Sequence, residues 1–410
     1  MIPAVARPAP LVSTEGTTGR EEWALDPAQR HINHGSYGAV PRRTLAFQQA
    51  LKNELEANPL QWFDTLPDRM AAERAALAAF LGAEPHEIAA VPNASAAASV
   101  MFGSLRLNAG DEVLITDHVY GAVALGARRF ADRWGAVVRV AAVPLAAGAE
   151  ESLDAIASAV TSRTRVAIVD HISSATARGF PIAEIVELAQ QHGFTLLVDG
   201  AHAAGILESA AEVAAGTENV VWFGNLHKFP AAPRPAAVLV ARGALADATH
   251  PLIDSWGAGL PYPDRFDQQG TIDTTGFLSA SFGIGEIERL FGWAELRRYG
   301  AELGAYAVSI LAPALGEWVD DPVVELGMPE PLQPLLRLPE GVAADAAGQR
   351  ALKNALSREA GVEAGVMTWN GGGYLRLSAH AYNEAEDYER LLERGIPVIA
   401  RIAAEHSRAH

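Results

Sequence analysis

The chain of 410 residues contains no cysteine. Disulfides, zinc–thiolate centres and thiol nucleophiles are therefore excluded. Long apolar runs are missing too: none approaches the ~18 residues expected of a membrane-spanning helix. Positive charge is scarce, with 32 Lys and Arg against 49 Asp and Glu, and the formal net charge is −17. A surface of that sign repels phosphate backbones and anionic headgroups, so neither nucleic acid nor membrane is expected as a partner. The opening "MIPAVARPAPLVSTEG" puts prolines where a signal peptide would need an apolar helix. Residues 1–22 read as a flexible arm on a cytoplasmic protein.

What the chain does have is material for a core. Hydrophobic residues make up 49% and charged residues 20%, the proportions of a folded chain rather than a disordered one. The length suits a large domain, expected over 23–285, and a smaller α/β domain over 286–410. In the first of these, short apolar runs alternate with helical patterns. Candidate strands are Ile88–Val91, Val113–Thr116, Val137–Val140, Val166–Val169, Thr195–Val198, Val220–Phe223 and Ala237–Val240. Between them lie amphipathic stretches such as "ESLDAIASAVTS" and "PIAEIVELAQQHG", the second punctuated by Pro181 and Gly193. Alternation of this kind predicts an α/β fold with a mostly parallel, seven-stranded sheet between helices.

Ligands of parallel sheets gather at the carboxyl ends of the strands. After successive runs come Asn93 and Ser95, then Asp117, His118 and Tyr120, then Asp170, His171 and Ser174. Asp199 and His202 follow in "FTLLVDGAHAAG", and Asn225, His227 and Lys228 in "VVWFGNLHKFP". A carboxylate ending a buried strand is costly unless a cation meets it. A lysine in a desolvated pocket becomes a nucleophile toward an aldehyde. Asp199 as partner of a pyridinium nitrogen and Lys228 as the covalent attachment point are the pairing that pyridoxal phosphate requires. The helix opening at Asn93-Ala94-Ser95 offers an anion site, although the same residues serve equally well as a plain helix cap.

Six segments, "HINHGSYGAVPRR", "LITDHVYGA", "VDGAHAAG", "GNLHKFP", "QGTIDTTGFL" and "LRLSAHAYN", resemble in order those of the class V aminotransferase family of pyridoxal-phosphate enzymes. Within it the resemblance is to the isopenicillin N epimerase-like branch, and it runs from about residue 31 to 392. It implies the fold type I architecture and a homodimer with shared active sites. It also implies roles for particular residues. Lys228 carries the cofactor, Asp199 holds the pyridine nitrogen, and His202 with Ser174 meets the phenolic oxygen. Ala94, Ser95, Asn225 and His227 bind the phosphate, with Thr271 and Gly270 reaching that of the neighbouring subunit. Tyr120, or else His118, stacks on the ring. Arg376 clamps the substrate carboxylate and Asn33 joins it in the substrate site. One departure stands out: "AAPRPAAVL" follows the lysine where relatives often have a Lys-Gly turn.

The implied activity is that of an enzyme acting at Cα of an α-amino acid, by epimerisation, by β-elimination of a sulfur substituent, or by amino transfer. Without cysteine, desulfuration through a protein persulfide is excluded. A competing reading is a metal-dependent hydrolase built on His118, His171, His202 and His227, in which the lysine has no evident part. Asp170 and His171 read as packing residues or as supports behind the site rather than catalytic groups, "HINH" as a wall of the site or plain structure without metal, and "NEAEDYERLLER" as a solvated helix face.

Overall fold

The computed structural model of the chain describes residues 5–409. Its described residues form eleven strands: β1 (Arg30–Ile32), β2 (Ile88–Val91), β3 (Glu112–Thr116), β4 (Val137–Ala141), β5 (Thr164–Asp170), β6 (Thr195–Asp199), β7 (Val220–Asn225), β8 (Ala237–Val240), β9 (Leu335–Arg337), β10 (Val362–Trp369) and β11 (Gly372–Arg376). They are divided between two compact units. One comprises Arg43–Ser174 and Gly179–Gly285, the other Met1–Arg42, Ala175–Arg178 and Glu286–His410.

The larger unit holds a seven-stranded sheet in the order β2-β8-β7-β6-β5-β3-β4. Every pairing from β7 to β4 is parallel, and β8 runs antiparallel to both its neighbours. All seven predicted strands are present, most of them one or two residues longer than their apolar runs. The inner strands are apolar almost throughout because helices cover both faces: Leu196, Leu197, Val198, Val220, Val221 and Trp222 are all wholly buried. Each such side chain contributes about 1.5–3 kcal/mol relative to exposure. The edge strand β4 differs, with Val137 and Val140 half exposed.

Helix 182–192 buries Ile182, Ile185, Val186, Leu188 and Ala189 along one stripe and stops at Gly193, whose φ of +70° suits a residue without Cβ. Helix 149–159 opens with Glu150 and Glu151 in its first turn, where the helix dipole favours them. The strand order reverses between β3 and β5. The chain goes outward from β3 to β4, then crosses back to lay down β5, β6 and β7. Such a reversal opens a crevice at the carboxyl ends of the strands.

The smaller unit has a four-stranded sheet, β1-β10-β11-β9. Here β1 pairs in parallel with β10, Arg30 opposite Val362, so residues 23–42, expected with the large domain, belong with the C-terminal segment. The cause is an edge pairing made across more than 300 residues of chain, which no local pattern reports. Strand β9 lies inside the proline-rich stretch 322–339.

The arm is a correction as well. Its first four residues lie outside the described ones, but from residue 5 onward it is fixed to the smaller unit. Leu11 and Ser13 are buried, Arg7 pairs with Glu386 and Glu389, and the Thr14 amide donates to Leu290 O at 2.8 Å. Prolines forbid a helix there without forbidding docking in extended form. Among the described residues no helix is long and apolar enough to cross a membrane.

Candidate active site

The larger unit collects the predicted cofactor residues at the carboxyl edge of its sheet. Asp199 is the last residue of β6 and is 2% exposed. Its Oδ1 accepts the Ala201 amide at 3.0 Å, while Oδ2 is buried with no hydrogen-bond partner. Burial pushes its carboxyl up to about 6 from an ordinary 3.8, opposed by the Ala201 amide and by the charge of Lys228. The backbone that follows is clamped. A Cβ on Gly200 would lie 2.3 Å from the indole of Trp222, as would one on Gly224, so both positions admit only glycine. Trp222 fills that space and donates from Nε1 to His171 Nδ1 at 3.3 Å.

Lys228 sits three residues past the end of β7, in a turn tied back on itself. Ala231 donates to Lys228 O and Ala232 to Leu226 O, with Leu226 and Phe229 buried on either side. Its Nζ lies 2.9 Å from His202 Nε2. His202 is itself 2% exposed, brought round by the turn after Asp199. Amine, imidazole and carboxyl thus form one cluster on two adjacent strands.

At the opening of helix 94–104, Asn93 caps by accepting the Ala96 amide at 2.8 Å. The Ala94 amide, expected to face an anion, is instead committed to Asn225 Oδ1 at 2.9 Å. That bond fixes the Asn225 amide group at the helix mouth and leaves Ser95 as the exposed residue of the first turn. His227 has Nδ1 2.8 Å from Ala236 O. A carbonyl only accepts, so Nδ1 carries the hydrogen, and Nε2 of the neutral ring is an acceptor. Burial first, then the charges of Lys228 and Arg234, lowers its pKa to about 4, against a favourable backbone bond.

The two candidates for ring stacking separate clearly. His118 is fully buried, with Nε2 2.7 Å from Val143 O and its ring edge-on to Phe180. Tyr120 is 44% exposed and outside that packing. Ser174 is half-buried, and Gly270 and Thr271 are exposed on their loop. The histidines of the hydrolase reading do not converge: His118 serves Val143, His171 Trp222, His227 Ala236 and His202 Lys228. Among the described residues no three His, Asp or Glu side chains gather as metal ligands.

The substrate-site candidates lie in the smaller unit. Arg376 ends β11 fully buried, and its Nη2 donates to Ser36 Oγ at 3.0 Å and reaches Asn33 Oδ1 at 3.5 Å. Ser36 Oγ donates to the same Asn33 oxygen at 2.7 Å. Ser36 carries no signal of its own in the sequence, although it stands inside "HINHGSYG".

The donor set fits pyridoxal phosphate on the structure's own terms. A buried carboxyl with one unpartnered oxygen matches a protonated ring nitrogen, and an amine on the adjacent strand matches an aldehyde. The architecture is that of fold type I, and the cluster offers the groups that pyridoxal phosphate requires. Known proteins agree: the family model "Aminotransferase class-V" matches residues 60–258. Isopenicillin N epimerase of Streptomyces clavuligerus is 29% identical over 396 residues, covering 91% of this chain and 96% of the relative. A probable chloroplastic L-cysteine desulfhydrase of Arabidopsis thaliana is 26% identical, covering 89% and 82%. A solved structure of a C-DES mutant, with glycine covalently linked to its PLP cofactor, superposes with a TM-score of 0.77 at 20% identity, over 94% of this chain and 99% of that one. Over residues 60–258 the chain matches the class V aminotransferase family, and over most of its length it is similar to these relatives.

Proposed function

We propose that the protein acts at Cα of an α-amino acid and that its reaction is epimerisation, as in the isopenicillin N epimerase-like branch. The observation that carries this reading is the cluster of Lys228, His202 and Asp199, in which an amine is held 2.9 Å from an imidazole beside a buried, half-satisfied carboxyl. The bound cofactor supplies an electron sink for the pair left on Cα when its proton departs. The Lys228 amine, held by His202, takes that proton from one face, and epimerisation follows when a proton is delivered to the opposite face. Asp199 keeps the ring nitrogen protonated, and Tyr120 covers the ring face. Ser174 assists His202 at the phenolic oxygen. Ser95, Asn225 and His227 hold the phosphate. Arg376, steadied by Asn33 and Ser36, binds the α-carboxylate by a two-pronged contact. In a homodimer Thr271 reaches the site of the second copy.

A β-eliminating C–S lyase is the second reading, supported by the likeness to L-cysteine desulfhydrases and by the fact that such a reaction needs no protein thiol. Incubation with a panel of amino acids, following deuterium entry at Cα together with products, separates the two. Exchange with inversion and no net product is expected for the epimerase. Pyruvate with ammonia would establish the lyase instead, and an oxo acid with pyridoxamine phosphate an aminotransferase. A protein that gains no visible absorption with pyridoxal phosphate would refute the whole reading.

A further inference from the structure

Strand β5 ends as β6 does, in a Val-Asp pair, and the two aspartates are register partners: Asp170 lies opposite Asp199 in the parallel ladder. Residues so paired project to the same face of the sheet from backbones about 4.8 Å apart. Both are 2% exposed, and each has an Oδ2 that is buried and without a hydrogen-bond partner. Asp170 accepts backbone amides, its own and that of Tyr120. The charged or titratable groups that bear on the pair are Lys228 and His202 from the neighbouring turns and His171 beside Asp170. His171 is held neutral by burial, which lowers it to about 4. Two carboxylates this close in a dry site do not both ionise at neutral pH.

We propose that Asp170 is a positioning residue that keeps its proton, so that Asp199 alone carries the charge of the pair toward the cofactor's ring nitrogen. The assignment rests on the cofactor reading for its purpose, but not for its chemistry. Burial and the neighbouring Asp199 charge hold the Asp170 carboxyl well above its ordinary range, in agreement with the geometry. A neutral acid at that point leaves a single anion with one open oxygen. An ionised Asp170 would give the ring nitrogen two competing partners.

The test is infrared spectroscopy of the full-length protein at neutral pH, with and without pyridoxal phosphate, for wild type and Asp170→Asn. The difference spectrum is expected to contain the carbonyl band of an un-ionised carboxylic acid, from wild type alone, in both states. Other buried acids such as Glu330 cancel in the subtraction. A difference spectrum without that band overturns the assignment. Should the variant fail to fold, wild type labelled with isotopic aspartate decides the question at about pH 8, where Asp199 and Asp267, both near 6, are ionised. A label-shifted acid band is expected there, and its absence overturns the assignment.

Cofactor affinity adds a second readout. Asp170→Asn, neutral like the protonated acid, is expected to bind pyridoxal phosphate within about threefold of wild type, and Asp170→Ala about tenfold more weakly, because the Tyr120 amide loses its acceptor. Equal weakening in both folded variants overturns the proposal. Wild type that takes up no cofactor refutes the functional reading, while the infrared band of the apoprotein still decides Asp170.

Discussion

Two buried aspartates in the larger unit show what separates finished structure from a site. Asp267 lies in the loop after 3-10 turn 264–266, and Arg74 reaches both its oxygens, at 2.5 and 2.6 Å. Asp199 ends β6 with one oxygen on a backbone amide and the other on nothing. Burial pushes both carboxyls to about 6. For Asp267 a permanent guanidinium offsets that cost. For Asp199 the opposing charge is the Lys228 amine, at a distance that leaves an oxygen open. A chain tolerates such an incomplete carboxyl where a ligand is to complete it.

Each of the following experiments removes or sharpens that contrast. Lys228→Ala takes away the cation that bears on Asp199 together with the attachment point. Turnover is expected to fall by at least about 10³-fold and the visible absorption to disappear, read by stopped assays and spectra. Arg74→Ala makes Asp267 resemble Asp199. Stripping a buried pair of one partner is expected to cost about 3–5 kcal/mol in denaturant unfolding, with no direct effect on cofactor chemistry.

Asp199→Asn works the other way. The folded carboxyl binds its proton more tightly than the unfolded one, so stability falls as pH rises from about 3.8 to about 6 and is level above. The variant lacks that loss and is expected to be up to about 3 kcal/mol more stable than wild type as apoprotein at pH 7, with no gain below pH ~4, while binding the cofactor less well. Greater stability with weaker function is the signature of a site rather than of structure.

Two smaller effects test the periphery. Arg376→Lys replaces a planar fork by a point charge and is expected to raise KM about tenfold, with a smaller change in kcat. His227 is neutral at pH 7, and its Nε2 can donate to a phosphate only after gaining a proton. Cofactor affinity is therefore expected to weaken with rising pH, by no more than about tenfold per pH unit, in direct titrations.

Legibility in the sequence followed the physics of each element. The parallel strands of the larger unit were readable because burial on both faces makes a run such as Leu196–Val198 continuously apolar, and a sharp end at Asp199 marks the ligand edge. The positions of Asp199 at the end of β6 and of Lys228 just past β7 were readable for the same reason. In the smaller unit, β1 and β9 are three residues long and owe their existence to distant partners, Val362 onward for one and Tyr374 onward for the other. Short edge strands carry no period of their own. The same holds for fine roles within the site. That the Ala94 amide is taken by Asn225, that Trp222 fills the space beside Gly200, and that Asp170 stands opposite Asp199 all depend on register between strands.

The sequence by itself determined which chemistry is open to this protein. It has no thiol, it has a carboxyl ending one buried strand and an amine just past another, and it has enough apolar run to build a parallel sheet that brings such ends to one edge. The tertiary structure alone decided which of those groups meet, which are already satisfied, and which oxygen is left without a partner. Hydrogen bonds and desolvation act over a few ångströms between residues far apart in the chain, and a one-dimensional pattern holds no record of those distances.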